Sequence, residues 1–451
     1  MDYRCLKGTH DIIGIDAMAY DDVELAWKDI AVRYGFKPTR TPTMEMSELF
    51  TRSVGSGSDI VRKEMYTFLD KGGRSVSLRP EHTASIVRSF VNNKLYATEH
   101  LPYKVFYCGP AFRYERPQKG RLREFIQFGV ESLGVKTAEE DADVILMAVR
   151  FFEEYDFPYV LKINYLGSDA SRANYVDALK KYVLPHLDTM CTDCKERYEK
   201  NPLRMLDCKV EEDKEILKDA PKIKDFLSKD DILNYDTIKT ILDNLDISYV
   251  EDDNLVRGLD YYSGIVFEIY LKDHEDFGAI LAGGHYDHLV NEIGGPSLSS
   301  VGFSFGVDRF ISFLKEEGRI GNEVETNINL IIPLGEDEKV KIAALMYRNF
   351  ISGEKGIPCD ISLQHPSISS AMKYASKAHY KNVIIIGDDE FKNGTVTIKK
   401  MDDGIQVNYS KDEFINRLEE ILFGKRHHCC HHEEDGEHEC HCHHEEEEKK
   451  N

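Results

Sequence analysis

Four cationic side chains, Arg113, Arg116, Lys119 and Arg121, crowd a Pro/Gly turn in FRYERPQKGRLREFIQFGVE (112–131). Cations held around a turn suit a polyphosphate or an RNA end, while the residues alone leave a solvated charged hairpin open. The segment after the turn has strand character. Its period of two places Phe125, Gln127, Gly129 and Glu131 on one face, so an amide and a carboxylate line the same surface. Upstream, LRPEHTA holds Glu81 and Thr83, and Pro80–Glu81 also reads as the acidic opening of a helix. Downstream, LVRGLDYYSGIVFEI (255–269) carries Arg257, Tyr261 and Tyr262, and GVDR places Arg309 at the start of a helix. An adjacent tyrosine pair taken alone is more often packing than chemistry.

The order of these segments resembles class II aminoacyl-tRNA synthetases. FRYE, a loop and REF are similar to their second motif, GVDR within VGFSFGVDRF to their third, and the stretch around Pro42 in FKPTRTPTMEMSELF to their first. Within that class, LVRGLDYYSGIVFEI and LAGGHYDHLV look like signatures of the histidine enzymes. The second usually reads AGGRYD, so His285 is a departure that puts any cationic role of this side chain in question. The resemblance spans residues 1–424. It implies a histidine–tRNA ligase that takes L-histidine, ATP with Mg²⁺ as the substrate complex, and histidine tRNA, and that forms a homodimer through the first motif. It assigns Arg113 to the α-phosphate, Arg309 to the γ-phosphate and Arg121 to ATP. By the same resemblance, Arg257 takes the place that a catalytic metal occupies in other class II enzymes, bridging the attacking carboxylate and the α-phosphate. Arg257 and Arg113 are thus the implied catalytic residues, and fixed planar cations suit two anions that must meet. Glu131 and Tyr262 are assigned to the imidazole, Glu81, Thr83 and Gln127 to the α-ammonium, and Tyr261 to the same histidine pocket. A site that pairs both ring nitrogens rejects analogues lacking them. Regulatory subunits of ATP phosphoribosyltransferase use the same catalytic fold but typically lack a C-terminal domain, and proline and threonine synthetases lack the GLDYY segment.

Two groups of soft ligands stand outside this pattern. Cys191, Cys194 and Cys208 include a CTDC pair with metal-knuckle spacing. Three thiols without a matched fourth ligand leave structural zinc, an RNA-contacting insertion built on Arg204 and Lys209, and a plain solvated helical surface all open, the last being the simplest. The final segment is rich in His, Cys and Glu. His427, His428, Cys429, Cys430, His431, His432, Cys440 and Cys442 are candidate ligands there for Zn²⁺ or Ni²⁺. Nearly free of aliphatic side chains, it is expected to be a disordered tail.

The elements that must position these residues follow from periodicity. DAMAYDDVELAWKDIAVRYG (16–35) predicts an amphipathic helix that stops at Gly35. YKVFY (103–107), FIQFGV (125–130) and IVFEIY (265–270) predict strands of a largely antiparallel sheet. Residues 167–253, rich in Lys, Asp, Glu and Leu, read as a helical insertion. NLIIPL and NVIIIG alternate with helical stretches as in an α/β unit. The expectation is a mixed α/β chain: an α+β catalytic domain with an antiparallel sheet over 1–320, the insertion within it, an α/β anticodon-binding domain over 326–424, and a tail over 425–451. In SSAMKYASKAHYKNVIIIG, Lys373, Lys377 and Lys381 at helical spacing beside Tyr374 form the expected basic strip for RNA. The net charge of −22 argues against general nucleic-acid affinity and requires any RNA contact to be a local patch. With no long apolar run and no cleavable leader, a cytoplasmic location and no membrane contact are expected.

Overall fold

The computed structural model describes residues 3–53, 55, 58, 60–117, 120–259, 261–320, 329–335, 337–364 and 367–423. Two compact units divide the chain, residues 1–322 and 323–451.

The first unit is built on a sheet of β1 (Lys37–Pro38), β2 (Tyr103–Phe112), β3 (Glu124–Leu133), β4 (Tyr159–Tyr165), β5 (Tyr249–Glu251), β6 (Ser263–Leu271), β7 (Leu281–Tyr286) and β8 (Ser300–Gly306). Its order is β1-β2-β3-β8-β7-β6-β4-β5. The six inner strands pair antiparallel, and only the edge strands β1 and β5 join in parallel. Each expected strand is present and extends by several residues, because ladder bonds carry pairing past the apolar run.

Alternation divides the sheet into two faces. Phe128, Val130, Ile265, Phe267, Val301 and Phe305 belong to one buried core. That core is covered by the helix Ile15–Arg33, whose buried stripe is Tyr20, Val23, Trp27, Ile30 and Ala31, and by the helix Ala138–Glu154. The Trp27 ring stacks on Phe151 at 4.3 Å and on Phe128 at 5.0 Å, offset-stack distances that add to its burial. The helix ends before Gly35, whose φ of 81° only glycine adopts freely.

The other face is lined by small residues. Gly129, Ser304 and Ala282 stand in one cross-strand row, ending at Tyr107 and Glu268, and Glu131, Gly302 and Gly284 stand in the next. This face is therefore hollow at its centre. A Cβ at Gly302 would lie 2.1 Å from Glu131 Oε2, and one at Gly129 2.2 Å from the Tyr107 hydroxyl. Both glycines are required by close approach rather than by backbone conformation.

The insertion is not one body. Asp169–Val183, Thr192–Lys200 and the short helical turns up to Phe226 pack in the second core with Tyr107, Tyr261 and Tyr286. The helix Lys229–Asn244 instead places Tyr235, Ile238 and Leu242 in the first core, and β5 completes the main sheet. Helical periodicity announces an apolar stripe but not which core receives it.

In the second unit, β9 (Asn329–Leu334), β10 (Cys359–Ile361), β11 (Asn382–Gly387), β12 (Thr395–Lys400) and β13 (Gln406–Ser410) form a sheet of order β10-β9-β11-β12-β13. β9 pairs in parallel with β10 and β11, and β12 and β13 pair antiparallel. Lys373 and Lys377 are exposed on the helix Ile368–Lys377, but Lys381 lies past its end. His379, at a φ of 55°, turns the chain there, so the three lysines do not share one helical strip.

Candidate active site

A cavity of about 330 Å³ opens on the hollow face, lined by Glu81, Thr83, Arg113, Arg121, Gln127, Glu131, Arg257, Tyr261, Tyr262 and Arg309 among others. The structure thus brings together every body residue expected at the site, although they come from segments up to 228 residues apart, from Glu81 to Arg309. Arg116 is exposed and is not part of this lining. Lys119 and the tail ligands His427, His428, Cys429, Cys430, His431, His432, Cys440 and Cys442 lie outside the described residues.

One end of the cavity is a carboxylate and hydroxyl pocket. Glu131 is 1 % exposed; Thr83 Oγ1 donates to its Oε1 at 2.6 Å and Tyr286 Oη to its Oε2 at 2.7 Å. Burial pushes the Glu131 carboxyl up to about 8 against the pull of these two donors. Glu81 serves two purposes. Its Oε1 accepts from the Ala84 amide at 3.0 Å, at the start of the helix Thr83–Asn92, while its Oε2 is buried without a partner. Burial raises this carboxyl too, outweighing the Ala84 and Thr83 amides. Gln127 Oε1 and Arg257 Nε are likewise buried and unpartnered. Buried polar atoms are ordinarily paired, so three orphans on side chains of one cavity mark it as built for a polar ligand.

The other end is cationic. Arg113 follows β2 directly, anchors its Nε on the Pro80 carbonyl at 2.9 Å and stands over the Phe125 ring. Arg309, in the first turn of the helix Val307–Glu316, donates to the Ala279 carbonyl. Its guanidinium is pulled below its ordinary range by burial and then by Arg121 and Arg113. Glu115 sits among these arginines, 3.3 Å from Arg121 and 3.9 Å from Arg113. Such crowding of like charge is stabilised by an incoming anion. The neighbouring Asp308 of the GVDR segment ties that helix to the sheet, accepting from Tyr20 Oη at 2.7 Å and from the Ile126 amide.

Arg257 lies between the two ends. It pairs with Glu268 and stands 5.2 Å from the Tyr262 ring centroid; Tyr270 Oη holds the far oxygen of Glu268 at 2.5 Å. Tyr107, Tyr286 and Glu268 escaped the sequence reading. Strand alternation, which puts Glu268 two residues after Val266 on the cavity face, was the available signal for one of them.

His285 is on the opposite face of β7 and 3 % exposed, with Nδ1 2.7 Å from Asp141 and Nε2 3.2 Å from Asp287. Burial disfavours its charge, but the two carboxylates win and raise the ring to about 9. Its contacts tie β7 to Asp141 of the helix Ala138–Glu154, and it does not line the active-site cavity.

The profile of the histidyl-tRNA synthetase family matches residues 8–310, and that of the anticodon-binding domain matches residues 329–421. A histidine–tRNA ligase of Fervidobacterium nodosum is 43 % identical over 421 residues, covering 93 % of this chain and 99 % of its own. The crystal structure of apo histidyl-tRNA synthetase from Staphylococcus aureus superposes with a TM-score of 0.77 at 33 % identity, over 92 % of this chain and 99 % of that one. A Bacillus halodurans structure described as an ATP phosphoribosyltransferase regulatory subunit/histidyl-tRNA synthetase has the same fold, with a TM-score of 0.62 at 20 % identity over 86 % of this chain and 99 % of that one. Sheet topology, motif order and these matches agree: the chain belongs to the histidyl-tRNA synthetase family. Among the described residues no helix is long and apolar enough to cross a membrane.

Proposed function

We propose that this chain is a histidine–tRNA ligase that activates L-histidine with MgATP and transfers the histidyl group to the 3′ end of histidine tRNA. The observation that carries the reading is a single cavity with an orphaned carboxylate, amide and guanidinium at its heart and crowded arginines at one end. Histidine supplies a partner for each orphan: its ammonium for Glu81 and Gln127, near Thr83, and its carboxylate for Arg257. The imidazole reaches Glu131 and Tyr262, beside Tyr261.

A carboxylate oxygen of histidine attacks the α-phosphorus, the α–β bridging bond breaks, and pyrophosphate leaves with the electron pair. Both reactants are anions, so the step is limited by charge that Arg257 and Arg113 neutralise at the α-phosphate while Arg309 and Arg121 hold the leaving end. Glu268 fixes the Arg257 fork before substrate arrives, which avoids ordering it during the reaction. In the second step a ribose hydroxyl of the tRNA 3′ end attacks the carbonyl carbon, and AMP departs.

Residues 1–320 act as the catalytic domain with its insertion over 167–253, residues 326–424 as the anticodon reader, and residues 425–451 as an appended metal-binding tail with no part in catalysis. Exposed Lys373 and Lys377 offer local cations on an acidic protein. A homodimer is favoured by the small sheet of Met44–Met46, Thr67–Leu69 and Ser75–Leu78, which exposes Met44, Met46, Phe68 and Leu69 next to Pro42. The cytoplasm is the proposed location. Histidine-dependent exchange of pyrophosphate into ATP tests the central claim; no exchange above that seen with other amino acids refutes it.

A further inference from the structure

The insertion, for which the sequence left zinc, RNA contact and a solvated surface open, contains a buried cluster of soft ligands. Cys194, Cys208 and Asp213 are 0 %, 5 % and 1 % exposed, and Cys191 is half-buried. One ligand atom from each of these four residues lies within 4.8 Å of all the others. We propose that Cys191, Cys194, Cys208 and Asp213 form a tetrahedral zinc site that fastens the insertion beside the candidate active site.

Edge lengths support a common centre. A tetrahedral Zn²⁺ with S and O ligands at their usual bond lengths requires S···S edges of about 3.8 Å and S···O edges of about 3.5 Å. Cys191 Sγ and Cys208 Sγ are 3.9 Å apart, and Cys208 Sγ is 3.3 Å from Asp213 Oδ2. The surroundings fix the ligands as outer partners of metal sites do. The Cys194 amide points at Cys191 Sγ at 3.4 Å, as the Cys-x-x-Cys turn allows, and the Cys191 amide reaches both Asp213 oxygens at 3.2 Å. Three thiolates and a carboxylate around Zn²⁺ carry a net charge of roughly −2, and Arg197, Arg204 and Lys209 line the cleft against which Cys191 and Cys208 lie. Thiolate ligands select zinc over magnesium or calcium. A Cys191–Cys208 disulfide is the competing chemistry, and it would consume two of the four ligands.

The site has a mechanical consequence. Its ligands bracket the helix Thr192–Lys200 and the turn Pro202–Asp207. From these, Glu196 pairs with Arg62, and Arg204 lies 3.3 Å from where a Cβ of Gly258 would stand, next to Arg257. That cleft shares Ile60, Arg113, Arg121 and Gly258 with the active-site cavity. Metal in the knuckle therefore holds one wall of the ATP end.

The test uses the full chain, purified with zinc and without added reductant, and reads alkylation of each cysteine by peptide mass spectrometry, which separates these thiols from those of the tail. Zinc should slow alkylation of Cys191, Cys194 and Cys208 together by about tenfold or more, and a strong chelator should abolish the protection, because a metal-bound thiolate is withdrawn from attack. A chain with all three changed to serine should hold one zinc per chain fewer than the parent. Rates at these cysteines that do not respond to chelator, or recovery of a Cys191–Cys208 disulfide, overturn the proposal. The alkylation result stands even if the serine variant fails to fold, and it is independent of whether the enzyme is specific for histidine.

Discussion

The Tyr286→Phe substitution isolates the histidine end of the cavity. Tyr286 is 1 % exposed, its ring packs 5.4 Å from Tyr261, and its hydroxyl donates to Glu131 Oε2 at 2.7 Å. Phenylalanine keeps the ring and removes only the donor. Two hydroxyls, from Thr83 and Tyr286, oppose the burial that pushes Glu131 up to about 8. With one gone, the carboxyl rises further and the ionised acceptor for an imidazole N–H becomes scarcer at neutral pH. A hydrogen bond to a charged group contributes about 1.5–3 kcal/mol, and 1.4 kcal/mol is a factor of ten. Histidine KM in pyrophosphate exchange should therefore rise by roughly 10- to 100-fold, while ATP KM, set by arginines at the other end, should change by less than about twofold. Raising the pH from 7 to 9 should recover part of the loss by ionising Glu131. Equal losses for histidine and ATP, or no loss, would refute the assignment of Glu131 to the imidazole.

Arg257→Ala should lower the single-turnover rate of adenylate formation by about 10²–10³, the scale of one preorganised charge-stabilising donor; a raised ATP KM at unchanged rate would assign it to ground-state binding only. His285 is raised to about 9 by its carboxylates, so its contribution to stability is complete below the ordinary value of about 6.5 and is lost as pH climbs through 9. Urea midpoints should fall over that interval by an amount equivalent to as much as ~3 kcal/mol, and His285→Gln should flatten the fall; an identical pH dependence in the variant contradicts the pairing. Removing residues 425–451 should take away most Ni²⁺ retention on an affinity column and leave aminoacylation within about twofold, since no catalytic step employs those side chains. Loss of activity in a truncated protein that remains folded would make the tail part of the enzyme.

The order FRYE, LVRGLDYY, LAGGHYD and GVDR is a property of the chain, and it sufficed to place the protein in its family. The period of two that puts Gln127 and Glu131 on one face was equally legible, because alternation along a strand is set by local backbone geometry alone. The same local signals located the helix Ile15–Arg33 and the strands on either side of the Arg113 loop. What they left out are relations between distant segments. Nothing in EEDKE marks Asp213, rather than Glu211 or Glu212, as the carboxylate that meets three thiols. Nothing near Tyr286 shows that its hydroxyl ends on Glu131, two strands away across Gly302. The helix Lys229–Asn244 looked like the rest of the insertion until the sheet offered its apolar stripe a different core. His285, met as a substitution in a signature, found its partners Asp141 and Asp287 only in the folded chain. Propensity and spacing act over a few residues, whereas burial, ion pairing and cavity shape depend on which strands become neighbours, and that is settled only when the chain closes on itself.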